Sequence, residues 1–219
     1  MKKTLPIFIV IFMSCTKEKS VQFENEEDKV FYTLGQMYAR RVENLNLQEK
    51  EAEWIHKGFT DWVLHRKSEV NFDEYRRTFQ GSLEKRIESV AKTEKEKGKQ
   101  YLEAYLKNGG TLSKQGFAYK VLNPGNEHKP TEKSIVEVHY HGTFTDGRVF
   151  DSSIDKKEKV KFPLNAVIKG WTEGLQLIGE GGEIELVLPS HLAYGDKGSP
   201  PQIPGGATLK FTIQLFTIQ

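Results

Sequence analysis

The hydrophobic period of this chain changes once, at Asn108-Gly109-Gly110, and the change divides what can fold on either side of it. Before that point apolar residues recur every three or four positions, the spacing that collects them on one face of a helix. Val30, Leu34, Met37 and Arg41 follow one such stripe, widened by Phe31 and Tyr38. Trp54, Ile55, Phe59, Trp62 and Val63 mark a second, which Asn46 with Glu49 opens as a capping pair. Asn71 with Glu74 repeats the start signal for a third, through Tyr75, Phe79, Leu83, Ile87 and Val90.

After the glycines the period is two. Val136, Val138 and Tyr140 alternate with Glu137 and His139, and Ile184, Leu186 and Leu188 with Glu185 and Val187. Leu209, Phe211, Ile213 and Leu215 alternate with Lys210, Thr212 and Gln214. Each run reads as a strand with one face toward a core. Phe150 reads as the end of a further strand, with Asp151 immediately after it. One short helical piece interrupts the strands, near residues 171–177. The expected fold is therefore α+β: a helical N-terminal part, then an antiparallel sheet wrapped over one short helix.

The two parts meet through Lys92-Thr93-Glu94-Lys95-Glu96-Lys97-Gly98-Lys99, which has no apolar side. Tyr101, Leu102 and Tyr105 resume the stripe beyond it. The reading is one long connecting helix, polar on all sides at its middle and stopped where the glycines admit a left-handed residue. A flexible charged linker, which Gly98 favours, is the alternative.

At the N-terminus, Lys2 and Lys3 precede a short apolar run over residues 5–13. It is too short to span a bilayer, which takes roughly 20 apolar residues, and has the layout of an export signal. It ends at Ser14-Cys15 and turns abruptly polar. A small residue before the chain's single cysteine resembles a bacterial lipoprotein signal in which Cys15 becomes the lipidated first residue. Phe12 and Met13 are bulkier than usual there, and a plain secretory signal is the alternative. With one cysteine no intrachain disulfide can form, so stability has to come from packed cores. The formal charge of +2 is carried by Lys2 and Lys3, and the balanced remainder gives no electrostatic reason to bind nucleic acid. The expected organisation is a signal over 1–14, a polar tether over 15–26, a helical domain with its connecting helix over 27–110, and a strand-rich domain over 111–219.

Function is carried by separated motifs in the strand-rich part. They are Val138-His139-Tyr140-His141-Gly142, then Gly147-Arg148-Val149-Phe150-Asp151-Ser152-Ser153, then Val167-Ile168-Lys169-Gly170-Trp171. Leu192-Ala193-Tyr194-Gly195, Ile203-Pro204 and Ala207-Thr208-Leu209-Lys210-Phe211 follow. Singly, each of these aromatic or apolar residues reads as core. In order and spacing the series closely resembles the FKBP-type peptidyl-prolyl isomerase domain. Tyr32-Thr33-Leu34-Gly35-Gln36 and Gly58-Phe59-Thr60-Asp61, ahead of a long helix, look like the macrophage-infectivity-potentiator branch of that family. Members of that branch pair through their N-terminal helices, so the resemblance makes residues 27–110 a helical dimerisation domain with its connecting helix.

By that resemblance Trp171 is the expected floor of a pocket for a substrate proline ring. Tyr140, Phe150, Val167, Ile168, Tyr194 and Phe211 are its walls, with Phe162 and Ile203 at the margins. The resemblance makes Tyr140, Phe150, Asp151, Trp171, Tyr194 and Phe211 the catalytic set, and Phe162, Val167, Ile168 and Ile203 the substrate-binding one. The Ile168 N–H is expected to hold a substrate carbonyl, with Asp151 and Tyr194 adding polar contacts. The implied partners are proline-containing unfolded or surface proteins, tacrolimus-type macrolides as inhibitors, and a second copy of the chain. No cofactor or metal is implied. Around Ser199 the flap lacks a histidine found in some members, which leaves substrate preference at that edge open. A non-catalytic chaperone or peptide-binding module using the same groove is the alternative function.

Three weaker signals read blandly. His139 and His141 share a strand face without a third metal ligand at suitable spacing, and read as facing solvent. Lys156, Lys157 and Lys159 read as a solvated loop. The glycines at 179, 181 and 182 read as a tight turn, since no phosphate-loop pattern follows them.

Overall fold

The computed structural model describes residues 22–219, so the signal segment, Cys15 and the first part of the tether lie outside the described residues. Helix α1, Glu26–Ala39, starts where Asn25 can cap it. The Asn25 side-chain oxygen accepts from the Asp28 N–H at 3.0 Å, and the Asp28 carboxylate accepts from the Glu24 N–H at 2.8 Å. No residue of α1 is buried. The described residues up to Met37 form one compact unit, and Tyr38–Gln219 forms the other.

In the second unit, helix α2 spans Glu49–Val63. It begins later than the Asn46–Glu49 reading implied. Asn46 instead closes a 3-10 turn over Arg40–Leu45 in the left-handed region, at φ 48°, a conformation asparagine tolerates better than most residues. Gln48 is the capping position, and Glu51 accepts from its N–H at 2.8 Å. Helix α3, Phe72–Lys107, does open as its cap signal implied, with Asn71 accepting from the Glu74 N–H at 3.2 Å. Arg86 of α3 fastens the preceding turn. It reaches the Leu45 and Asn46 carbonyls at 2.8 and 2.9 Å and the Glu51 carboxylate at 2.7 Å.

α3 is continuous through its polar middle for 36 residues, about 54 Å at 1.5 Å per residue. It is not polar on all sides, however. Val90, Ala91 and Gly98 are buried, Ala91 against Gly206 and Gly98 against Thr208 of the strand-rich part. The contacts of this face are made by alanine and glycine, which add nothing to an apolar stripe. The helix stops at Lys107, and Gly109 follows at φ +91°.

Seven strands follow: β1 Thr111–Leu112, β2 Ala118–Asn123, β3 Ile135–Phe144, β4 Val149–Ser152, β5 Val160–Pro163, β6 Glu183–Leu188 and β7 Leu209–Ile218. They form one antiparallel sheet in the order β1-β2-β6-β7-β3-β4, with β5 on the first half of β3. The alternation in β3, β6 and β7 sends Val136, Val138, Tyr140, Ile184, Leu186, Leu188, Leu209, Phe211, Ile213 and Leu215 to the core. Phe150 does not end a strand. β4 runs on through Asp151, which pairs with Gly142, to Ser152 opposite His141. Helix α4, Lys169–Leu175, crosses the core face. Gly170 and Gly174 let it approach β6. A Cβ on either would stand 2.5–2.6 Å from the methyls of Leu188 or Leu186, so the helix backbone lies directly on the leucines.

Candidate active site

Trp171, in the first turn of α4, is 5 % exposed and is the hub of an aromatic cluster. Tyr140, Phe162 and Phe211 meet it edge-on, at centroid distances of 5.2, 5.8 and 5.3 Å. Phe150 stands perpendicular to Phe211 at 5.5 Å. The register explains why these rings meet. Phe211 lies opposite Gly142 on β3 and Leu186 on β6. A Cβ on Gly142 would fall 2.7 Å from the Phe150 ring and 3.1 Å from the Phe211 ring. The missing side chain is the space the two rings occupy. The Trp171 indole N–H is buried with no hydrogen-bond partner, which costs about 1–3 kcal/mol for a group of this kind.

Polar groups stand at one edge of the cluster. The Tyr140 hydroxyl donates to Asp151 Oδ2 at 2.5 Å, and Lys156 Nζ donates to Oδ1 at 2.6 Å. Burial works to raise the Asp151 pKa, but the hydrogen bonds from Lys156 and Tyr140 and the Lys156 charge together bring it below its usual 3.8. Burial, then the bond to Asp151, holds the Tyr140 phenol well above 10.0. Tyr194 is shifted upward as well, by burial first and then by the Asp151 charge. Its ring is partly exposed, on the loop between β6 and β7. Val167 and Ile168 are half-buried against the same core, and Ile203 is buried in it. Ile168 caps α4 with extended backbone, so its own N–H lies outside the helix ladder.

Of the residues singled out from the sequence, Tyr140, Phe150, Phe162, Trp171 and Phe211 are thus in mutual contact, and Asp151 is bonded to Tyr140. Lys156, which reads from sequence as part of a solvated loop, is instead paired with Asp151. Its signal was its spacing from Asp151 across a short turn, which lets the chain fold back into an ion pair. Lys159 is not simply solvated either, since its Nζ lies 3.6 Å over the Phe216 ring. His139 and His141 are half-buried rather than open to solvent. Their Nδ1 atoms lie 3.0 and 3.1 Å from the hydroxyls of Ser153 and Ser152. Ser153 also accepts from the Tyr140 N–H at 2.8 Å and so fixes the backbone beneath that ring.

The sign of the pH dependence follows from this network. A carboxylate whose pKa is depressed on folding contributes fully above 3.8 and loses its contribution as pH falls through its lower folded-state value. Tyr140 stays protonated beyond pH 10.0. If the network supports turnover, activity on an uncharged peptide will be flat between about pH 5 and 9. A step inside that window in chain that is folded by circular dichroism would mean that a group other than Asp151 and Tyr140 controls activity.

Residues 126–216 match the family model of the FKBP-type peptidyl-prolyl cis-trans isomerase. Residues 27–121 match that of the domain amino-terminal to it. The chain is 36 % identical to the FKBP-type isomerase FkpA of Escherichia coli K12 over 217 residues, covering 92 % of this chain and 79 % of that protein. It is 30 % identical to the isomerase Mip of Coxiella burnetii, covering 98 % and 97 %. The crystal structure of Escherichia coli FkpA superposes with a TM-score of 0.64 at 34 % identity, over 90 % of this chain and 99 % of that one. Similarity on this scale through both halves makes the chain a member of the FKBP-type peptidyl-prolyl cis-trans isomerase family.

Proposed function

We propose that the space over Trp171, bordered by Tyr140, Phe150, Phe211, Val167, Ile168 and Tyr194, receives the proline ring of an Xaa-Pro peptide, with Phe162 and Ile203 at its margins. The observation that carries this is the ring of edge-on aromatics around one buried indole whose donor has no partner. Rotating a peptide bond requires roughly 18–20 kcal/mol because resonance holds it planar. That resonance separates charge onto oxygen and nitrogen, and an apolar, aromatic site disfavours separated charge. The twisted bond has less of it, so the site binds the transition state better than either planar form. The Ile168 N–H takes a substrate carbonyl, and the Tyr140–Asp151–Lys156 network holds the polar edge of the site. Proline is the fitting substrate because its two isomers are close in energy yet interconvert slowly.

In this reading Asp151→Ala leaves the Tyr140 hydroxyl and the Lys156 ammonium without their acceptor. It should lower kcat/KM for a proline-containing tetrapeptide about tenfold. Tacrolimus should compete with the peptide. A folded Asp151 variant with parental kinetics, or turnover indifferent to tacrolimus, would remove the groove from the mechanism.

The same proposal places the enzyme at a bacterial cell envelope, anchored through Cys15 and acting on exported or surface proteins. No described helix is long and apolar enough to cross a membrane. Anchoring then depends on the lipid. Cys15→Ser should move the protein to the soluble fraction while peptide kinetics stay unchanged. Persistence on membranes through a high-salt wash would argue against this anchor. Pairing of two chains through the N-terminal helices completes the proposal. It is supported by α1 and α2, which have no buried residue and expose Phe31, Met37, Trp54, Phe59 and Trp62. The same exposed faces could also hold an unfolded client, so holding and turnover need not be exclusive.

A further inference from the structure

The loop that carries Tyr194 and Ile203 rests on helix α3. Its base is closed by the Gly195 N–H on the Ser190 carbonyl at 2.7 Å and the Gly206 N–H on the Gly195 carbonyl at 2.9 Å. Its tip is closed by two bonds between Ser199 and Ile203, at 2.8 and 3.0 Å. At the base the loop meets the helix with almost no side chain between them. A Cβ on Gly206 would lie 2.2 Å from the Ala91 carbonyl oxygen, and a Cβ on Gly98 would lie 1.9 Å from Thr208 Oγ1. Between these contacts Lys95 Nζ meets both carboxylate oxygens of Asp196, at 2.6 and 2.7 Å. Ala91, Lys95 and Gly98 are spaced four and three apart, so they share one helix face.

The attachment is local. Clefts of about 320 and 560 Å³ open from the Lys95–Asp196 pair toward the two ends of α3. No α3 residue belongs to the main apolar cluster, to which β3, β6, β7 and α4 give most members and the loop region itself gives Ile203 and Ala207. The contact is therefore not needed to build the sheet core, yet backbone atoms of helix and loop are matched to within the room a hydrogen allows. Such a fit fixes the loop's position.

We propose that the Ala91–Gly98 face of α3 is a positioning element of the isomerase. It latches the loop over residues 195–206 and so sets Tyr194 and Ile203 against the groove before substrate arrives. The proposal rests on the reading that these two residues border the groove. A loop ordered in advance does not lose its freedom on binding, so the latch strengthens binding. Both planar and twisted substrate touch this wall, so the latch acts on KM and leaves kcat alone.

The test uses the full chain and a proline-containing tetrapeptide. Gly98→Ala should raise KM about threefold at unchanged kcat. Alanine favours helix over glycine, so a weakened α3 cannot account for the rise. Lys95→Glu and Asp196→Lys should each raise KM about twofold, and the double variant should return it to the parental value. Both side chains are largely exposed, so these variants fold even if Gly98→Ala does not, and in that event the charge exchange alone decides. Tyr194→Ala is run alongside as a check on the groove itself. An unchanged KM there removes the groove reading, and the latch with it. A raised KM for Tyr194→Ala, with parental KM in folded Gly98→Ala or no restoration in the double charge variant, overturns the latch alone.

Discussion

Replacing Phe211 by alanine should cost the sheet domain about 3–5 kcal/mol, the usual range for emptying a buried phenylalanine site. Phe211 is 3 % exposed, lies opposite Gly142 and Leu186, and meets both Phe150 and Trp171 edge-on. On the β3 side no side chain can close the gap, because the facing position is Gly142. Two aromatic pairs at about 0.5–1.5 kcal/mol each vanish with the ring. If those pairs hold the site over Trp171, the loss of roughly 2 kcal/mol slows tetrapeptide isomerisation about 30-fold. Phe211→Leu separates the two effects. It keeps more of the volume but forfeits the same two ring pairs, so its stability cost should fall to about 2 kcal/mol, while the edge-on geometry and the rate are still lost. Urea unfolding and peptide kinetics on the two variants measure both quantities. A leucine variant with parental rate would remove ring geometry from the account.

The second large effect concerns refolding of a protein limited by a slow proline step. A fragment that begins at Asn71 keeps the α3 cap, the Val90–Ala91–Gly98 face and the whole sheet, but loses α1 and α2. It should match the full chain on a tetrapeptide and fall behind it at least about tenfold in the refolding assay, well inside the roughly hundredfold or larger gain that linked sites can give. The reason is the uncovered apolar surface on the removed part. Trp54 is 62 % and Trp62 70 % exposed, and both lie on the α2 face that also carries Phe59 and Ile55. A helical unit this small has little core of its own, and oligomerisation is a common remedy. Two chains paired there offer one client two grooves. Sedimentation should find the full chain dimeric and the fragment monomeric. A monomeric full chain, or equal refolding rates, would leave a simple isomerase without a clamp.

What could be read from the sequence follows the strength of its periodic signals. β3, β6 and β7 are central strands with one face buried, so their alternation is clean and their core residues could be named in advance. β1, β2 and β5 are short or exposed and carry little pattern: Leu112, Val121 and Leu122 all face solvent. The start of α3 was legible because Asn71 both has the right chemistry and makes the bond. Asn46 has the same chemistry but serves a left-handed turn whose carbonyls Arg86 takes up, and no local pattern encodes a partner 40 residues away. The aromatic members of the site stood out because several rings recur in one order. The serines beneath the histidines did not, because their partners are set by how β3 and β4 register, and Lys156 did not, because a lysine near an aspartate in a charged loop reads the same whether or not the turn pairs them. The Ala91–Gly98 face escaped because an apolar stripe is found by counting large residues, and contact here depends on small ones.

The placement of the three tryptophans gives the molecule a built-in optical division. Trp171 sits in a dry aromatic setting, whereas Trp54 and Trp62 are bathed in solvent on α2. Indole emission moves to longer wavelength in water, so the blue edge of the spectrum reports on the sheet domain and the red edge on the helices. Iodide should quench the red component and leave the blue one. Loss of structure in either part can then be followed separately in unlabelled protein, and a blue shift of the red component with rising concentration would register the covering of α2 without any change in Trp171.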